Sequence, residues 1–77
     1  MQAKTKCKVK LGDVVTLCTG PAGHLERPAR RHVGLAATVV DLHFEFGHWI
    51  VEYEGWDSER YTEYRDRCDE SCVEKLL

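Results

Sequence analysis

The octapeptide His48–Gly55 (HWIVEYEG) constrains the fold more than any other stretch. Its apolar and charged residues alternate with a period of two, placing Trp49, Val51 and Tyr53 on one face and Ile50, Glu52 and Glu54 on the other. A helix would scatter these residues around its axis, so the pattern predicts a strand with one core face and one wet face. Trp49 is the expected hydrophobic anchor, and Trp56, beside a glycine turn, is expected to be more exposed. The same period recurs in GLAATVVDL, residues 34–42, where Leu35, Ala37 and Val39 share a face, and in GDVVTLC, where Val15 and Leu17 turn inward. Lys4, Lys6, Lys8 and Lys10 alternate with Thr5, Cys7, Val9 and Leu11, which reads as a half-buried edge strand.

Between these strands, HFEFG reads as a turn ending in Gly47, and WDS as a tight turn whose hairpin partner is ERYTEY. RDRCDESC has helix-cap residues over only about two turns, which predicts a short 3₁₀ or α turn before a last strand, VEKLL. The expectation is a single all-β domain over residues 1–77 with five short strands. A chain of 77 residues is near the lower limit for burying one core unaided. The stretches LGDVVTL, GPAG, GLAATVVDL and GHWIVEYEG together resemble the SH3-like small β-barrel group, including KOW-type and Tudor-like modules. That resemblance implies a five-stranded SH3-like barrel with a long first loop, and a binding module rather than an enzyme. The plasmid-type dihydrofolate reductases share this barrel as tetramers around a central pore, and imply an alternative, a small oligomeric enzyme with a site between protomers. Their functional Gln-Ile-Tyr run falls near the fourth strand, where this chain has Glu59, Arg60, Tyr61 and Thr62.

Charge and cysteine usage narrow the function classes. Net charge is −2, but residues 1–40 carry seven Lys/Arg against two acids, while residues 41–77 carry four against eleven. Such polarity suits an anionic partner for the first half, or two protomers meeting head to tail. Neither an 18-residue apolar run nor a secretory signal is present, so a cytoplasmic location without membrane contact is expected. Cys7 and Cys18 are eleven residues apart and only Cys68 and Cys72 are close, a poor match to paired zinc ligands. Free thiols fit best, with a zinc-stabilised interaction domain, in which His24 or His32 would join the cysteines, and a disulfide as alternatives. GPAG lacks the Lys-Ser/Thr of a phosphate-binding loop, and Glu52 with Glu54 simply share a wet face. No catalytic residue, resident metal or cofactor is implied.

The remaining candidate is a basic and aromatic surface. Arg27, Arg30, Arg31 and His32 lie on the long loop of residues 20–34, and His43, Phe44, Phe46 and His48 on the 43–48 turn. The family resemblance implies that these two segments meet at one end of the barrel. Guanidinium groups suit phosphates and aromatics suit unpaired bases, while both also suit a protein surface. The expected partner is RNA, DNA or a protein, and a loop of this length between strands favours a binding role.

Overall fold

Five strands form one antiparallel sheet in the computed structural model, which describes residues 6–20 and 26–76. They are β1 (Val14–Leu17), β2 (Ala36–Glu45), β3 (His48–Asp57), β4 (Thr62–Asp69) and β5 (Val73–Lys75), in the order β4-β3-β2-β1-β5. The expected short turn before the last strand is a 3₁₀ turn over Glu70–Cys72, and a first 3₁₀ turn covers Arg30–His32. Asp69 caps the second turn by accepting from the Ser71 N–H at 2.9 Å and the Ser71 hydroxyl at 2.7 Å, a local bond that lets the chain swing from β4 into β5. The outer strands β4 and β5 do not pair, so the sheet is open. No helix among the described residues is long and apolar enough to cross a membrane.

The period-two faces place the core. Val15, Leu17, Ala37, Val39, Val51 and Tyr53 are buried as the alternation requires, joined by Tyr64, Cys68, Cys72 and Val73. Tyr53 is the largest fully buried side chain. Trp49 is not the anchor expected of it: it lies beyond the main cluster, half-buried, edge-on to Phe44 at 5.2 Å. Ile50, expected on the wet face, is 6% exposed because it pairs with Asp69 where the second 3₁₀ turn packs against β3. Trp56 is exposed as expected.

Three boundaries differ from the sequence reading. Residues 6–10 form no strand, although Val9 is buried and its lysine neighbours are exposed; Lys4 and Thr5 lie outside the described residues. Alternating burial without a ladder partner gives half the signature of a strand and none of its hydrogen bonds. The 43–48 turn is correspondingly smaller: β2 runs to Glu45, and Phe46 and Gly47 alone make the connection at φ 51° and 81°. Two successive positive φ values match a type I′ hairpin. β3 likewise continues through Trp56 to Asp57, so its turn to β4 spans residues 58–61, and β4 absorbs the Arg65–Asp69 stretch read as a helical start.

Gly55 faces Tyr64 across the β3–β4 ladder, and a Cβ there would collide with the tyrosine ring. The absent side chain lets Tyr64 lie across the strand and donate from its hydroxyl to the Ala36 carbonyl at 2.6 Å. Denaturant titration should show Tyr53→Ala losing about 3–5 kcal/mol, as a buried aromatic does. Trp49→Ala should lose only about 1–2 kcal/mol, the scale of a cross-strand aromatic pair.

Candidate binding surfaces

The two ends of the 26–32 segment lie in different places. Glu26 sits beside the end of β4, where its carbonyl accepts from the N–H of Asp69, the residue that also faces His48, at 2.7 Å, and its carboxylate accepts from Arg67 Nε at 2.7 Å. From there the chain passes over the open side of the sheet to His32, which stacks on Tyr64 at 4.5 Å between ring centroids. Tyr64 pairs with Gly55, whereas the Phe46–Gly47 turn lies before the opposite end of β3. Arg31 and His32 thus approach the β3–β4 connection and not the β2–β3 turn. Pro21, Gly23 and His24 lie outside the described residues.

His32 does not belong to an exposed surface. It is 2% exposed, and its Nδ1 is 2.9 Å from the Tyr53 hydroxyl. The ring is apolar enough to cover the core, and one hydrogen bond compensates the burial of one nitrogen. Its Nε2 is buried with no partner among the described residues. Burial, then the neighbouring Arg31, holds its pKa below the ordinary 6.5, so the imidazole stays neutral. Arg27, Arg30 and Arg31 are exposed, and neither Arg30 nor Arg31 forms a salt bridge among the described residues. Arg31 shares a cleft of about 380 Å³ with Leu35, Trp56, Asp57 and Arg60. Trp56, near the end of β3, is 56% exposed, and Tyr61, on the connection that follows, 81%. Sequence reasoning did not connect Trp56 or Arg60 with Arg31, because only the fold of the 26–32 segment brings them together.

The second surface is the end of the β2–β3 hairpin. β1 pairs with β2 only along Ala36–Thr38, and β4 pairs with β3 only from Ile50 onward, so the strands beyond them form a two-stranded ribbon. Phe44 lies directly opposite Trp49 in the ladder, and this pair supplies packing that the missing neighbours do not. Phe44 remains 46% exposed and Phe46, at the tip, 99%. The flanking groups are His43, Glu45 and His48, with His48 Nδ1 3.6 Å from Asp69 Oδ1.

On the outward face at the base of this ribbon, His43 Nε2 lies 3.3 Å from both Asp41 Oδ2 and Glu52 Oε1. Arg65 grips the other oxygen of Glu52 at 2.7 Å and, with His43, holds its carboxyl below the usual carboxylate range. Asp41, His43 and Glu52 are the one trio of metal-ligand types found with donor atoms all within 4.8 Å of one another among the described residues. Among the described residues the cysteines make no such group. Cys7 and Cys18 are half-buried and Cys68 and Cys72 buried, none in a disulfide. Burial first, then the neighbouring Cys72 and Asp69, pushes the Cys68 thiol far up, which suppresses the thiolate and its nucleophilicity.

Comparison with protein-family models, curated proteins and solved structures finds no match.

Two outcomes follow from this geometry. Because folding depresses the His32 pKa, the unfolded chain binds its proton more readily, and stability falls as pH drops below about 6.5, with a slope approaching about 1.4 kcal/mol per pH unit from this group. Melting curves of wild type and His32→Phe across this range should show that component lost in the variant. A thiol reagent should modify Cys7 and Cys18 in the native protein, and Cys68 and Cys72 only on unfolding; early modification of Cys68 would contradict its place in the core.

Proposed function

We propose that this chain is a non-enzymatic binding module whose β2–β3 hairpin end docks onto a protein. The observation that carries this reading is Phe46. A type I′ turn favours Asn, Asp or Gly at positive φ, and a bulky side chain there is strained. Phe46 takes this position with 99% of its surface in water, so its ring contributes no packing that would offset the strain. Aromatic side chains of this kind are the usual energetic centres of protein contacts, where a pocket desolvates them. Phe44 and Trp49 extend the apolar patch, and Glu45, Asp41 and Glu52 give its surroundings an acidic character. The fitting partner presents an apolar pocket framed by basic side chains. The likeness to SH3-like modules supports the same class, and five antiparallel strands with a 3₁₀ turn before the last are in keeping with it.

A second reading is favoured by the other end of the sheet. Trp56 offers a stacking face beside Arg31 and Arg60, a combination that suits single-stranded RNA, with DNA as the weaker alternative. Acids stand among these groups: Asp57 is 3.8 Å from Arg60, and Glu59 lines the same cleft. They weaken the local field that phosphate binding needs.

Phe46→Asn separates folding from binding. The variant should be more stable than wild type by about 1 kcal/mol, since Asn tolerates the left-handed backbone. It should also lose the partner that immobilised wild type retains. Arg30→Ala/Arg31→Ala should retain that partner. If the double arginine variant loses it and Phe46→Asn does not, the arginine cleft is the working surface; fluorescence anisotropy with single-stranded RNA, repeated with Trp56→Ala, then reads the second proposal directly.

A further inference from the structure

We propose that Asp41, His43 and Glu52 form a binding site for one first-row divalent cation, zinc being the best fit, at the base of the β2–β3 hairpin. The backbone creates the trio. A bulge between Val39 and Asp41 shifts the register so that Asp41 faces Glu52 directly, and His43, two residues on, projects from the same side of β2. Without the bulge, Asp41 would pair with Val51 and His43 with Trp49, on the opposite face of the sheet from Glu52.

The spacing of the donor atoms suits a metal. Zinc holds nitrogen and oxygen ligands at about 2.0–2.1 Å, so two ligands on one tetrahedral edge lie about 3.3 Å apart. His43 Nε2 has this separation from Asp41 Oδ2 and from Glu52 Oε1. The two carboxylates are also held in place by groups outside the trio. The Leu42 N–H donates to Asp41 Oδ1 at 2.8 Å and leaves Oδ2 for His43, while Arg65 occupies Glu52 Oε2 at 2.7 Å and leaves Oε1. Such outer partners orient ligands in metal sites.

Hydrogen bonding alone leaves the trio short of a donor. One Nε2–H stands between two carboxylate oxygens and can make one well-directed bond, whereas a dication at their centre engages all three side chains. Imidazole with two carboxylates selects zinc and its transition-metal neighbours over magnesium and calcium, which prefer oxygen alone. Three protein ligands leave a fourth position open to water or to a group from a docking partner. A cation here would tie β2 to β3 just past the end of β1, stiffening the base of the ribbon that carries Phe44 and Phe46. The site stands on its own geometry and does not depend on the identity of that partner.

Zinc titrated into the full-length native chain tests it, read by calorimetry and by the NMR resonances of the histidine rings. One zinc per chain is expected, with the His43 ring resonances moving and those of buried His32 unchanged. His43→Gln and Glu52→Gln should each weaken binding by about tenfold or more, while His48→Gln binds as wild type does. Cobalt(II) as a second probe should give visible bands without the intense near-ultraviolet absorption of thiolate ligation. Unmoved His43 resonances on zinc saturation, unchanged affinity in His43→Gln, or a thiolate band with cobalt would each overturn the assignment.

Discussion

The contact between Tyr53 and His32 is the constraint on which the rest of this fold depends. β4 and β5 leave one side of the sheet open, and a domain this small has no second layer to cover it. The 26–32 segment does so instead. Glu26 fixes one end on the Asp69 N–H, and His32 fixes the other between the Tyr53 hydroxyl and the Tyr64 ring. The chain then turns directly into β2, with the Gly34 N–H donating to the Leu17 carbonyl at 2.7 Å and the Leu17 N–H to the Leu35 carbonyl at 3.0 Å. Covering the core and delivering β2 are linked, because Gly34 and Leu35, directly after the covering segment, begin the pairing to β1.

Once the loop is committed to covering the core, Arg31 is placed by necessity. Arg31 precedes His32 in a single 3₁₀ turn, so burying His32 leaves Arg31 in the cleft beside Trp56 and Arg60. Arg31 therefore sits at the β3–β4 connection, away from the β2–β3 hairpin at the other end of β3. The hairpin's surroundings are carboxylates and imidazoles, and its tip is apolar. The charge polarity of the sequence thus becomes a separation of surfaces, with cations at one end of β3 and an acid-framed aromatic ribbon at the other.

Much of the sheet was legible because it rests on local alternation. The inward faces of β1 and β2 and the Val51–Tyr53 face of β3 follow from period-two patterning, and the 3₁₀ turn before β5 from cap residues too few for a helix. The departures are set by contacts between residues far apart. His32 meets Tyr53 across 21 positions, and nothing within the loop distinguishes a histidine that covers a core from one that faces water. Trp49 has the right parity for the core, but burial depends on which strands flank it, and β1 and β4 both end before reaching it. The β2 bulge is similarly silent, since Val39 and Val40 are both good strand residues and the shift between them is read only against β3. For the candidate surfaces, the exposure of Phe44, Phe46, Arg30 and Arg31 was legible, and the burial of His32 and its separation from the 43–48 turn were not.

The backbone at the two hairpin tips ties these surfaces to a common physical feature. Among the described residues, the non-glycine positions with positive φ are Phe46 and Tyr61, both exposed aromatics on connections between long strands. Each connection would fold more easily with Asn or Gly in that place, because an L residue with a large side chain crowds its own carbonyl in the left-handed region. A lone case could be absorbed by a steep turn with few other solutions. Two cases, one at each end of the same pair of hairpins, mean that the chain twice accepts backbone strain to hold a ring in water. Strain retained where packing gives nothing in return supports the proposal of a surface shaped for contact. At Phe46 the apolar surface continues into Phe44 and Trp49, whereas Tyr61 stands among alternating charges, and this difference in apolar continuity is why the β2–β3 end takes precedence as the proposed docking surface.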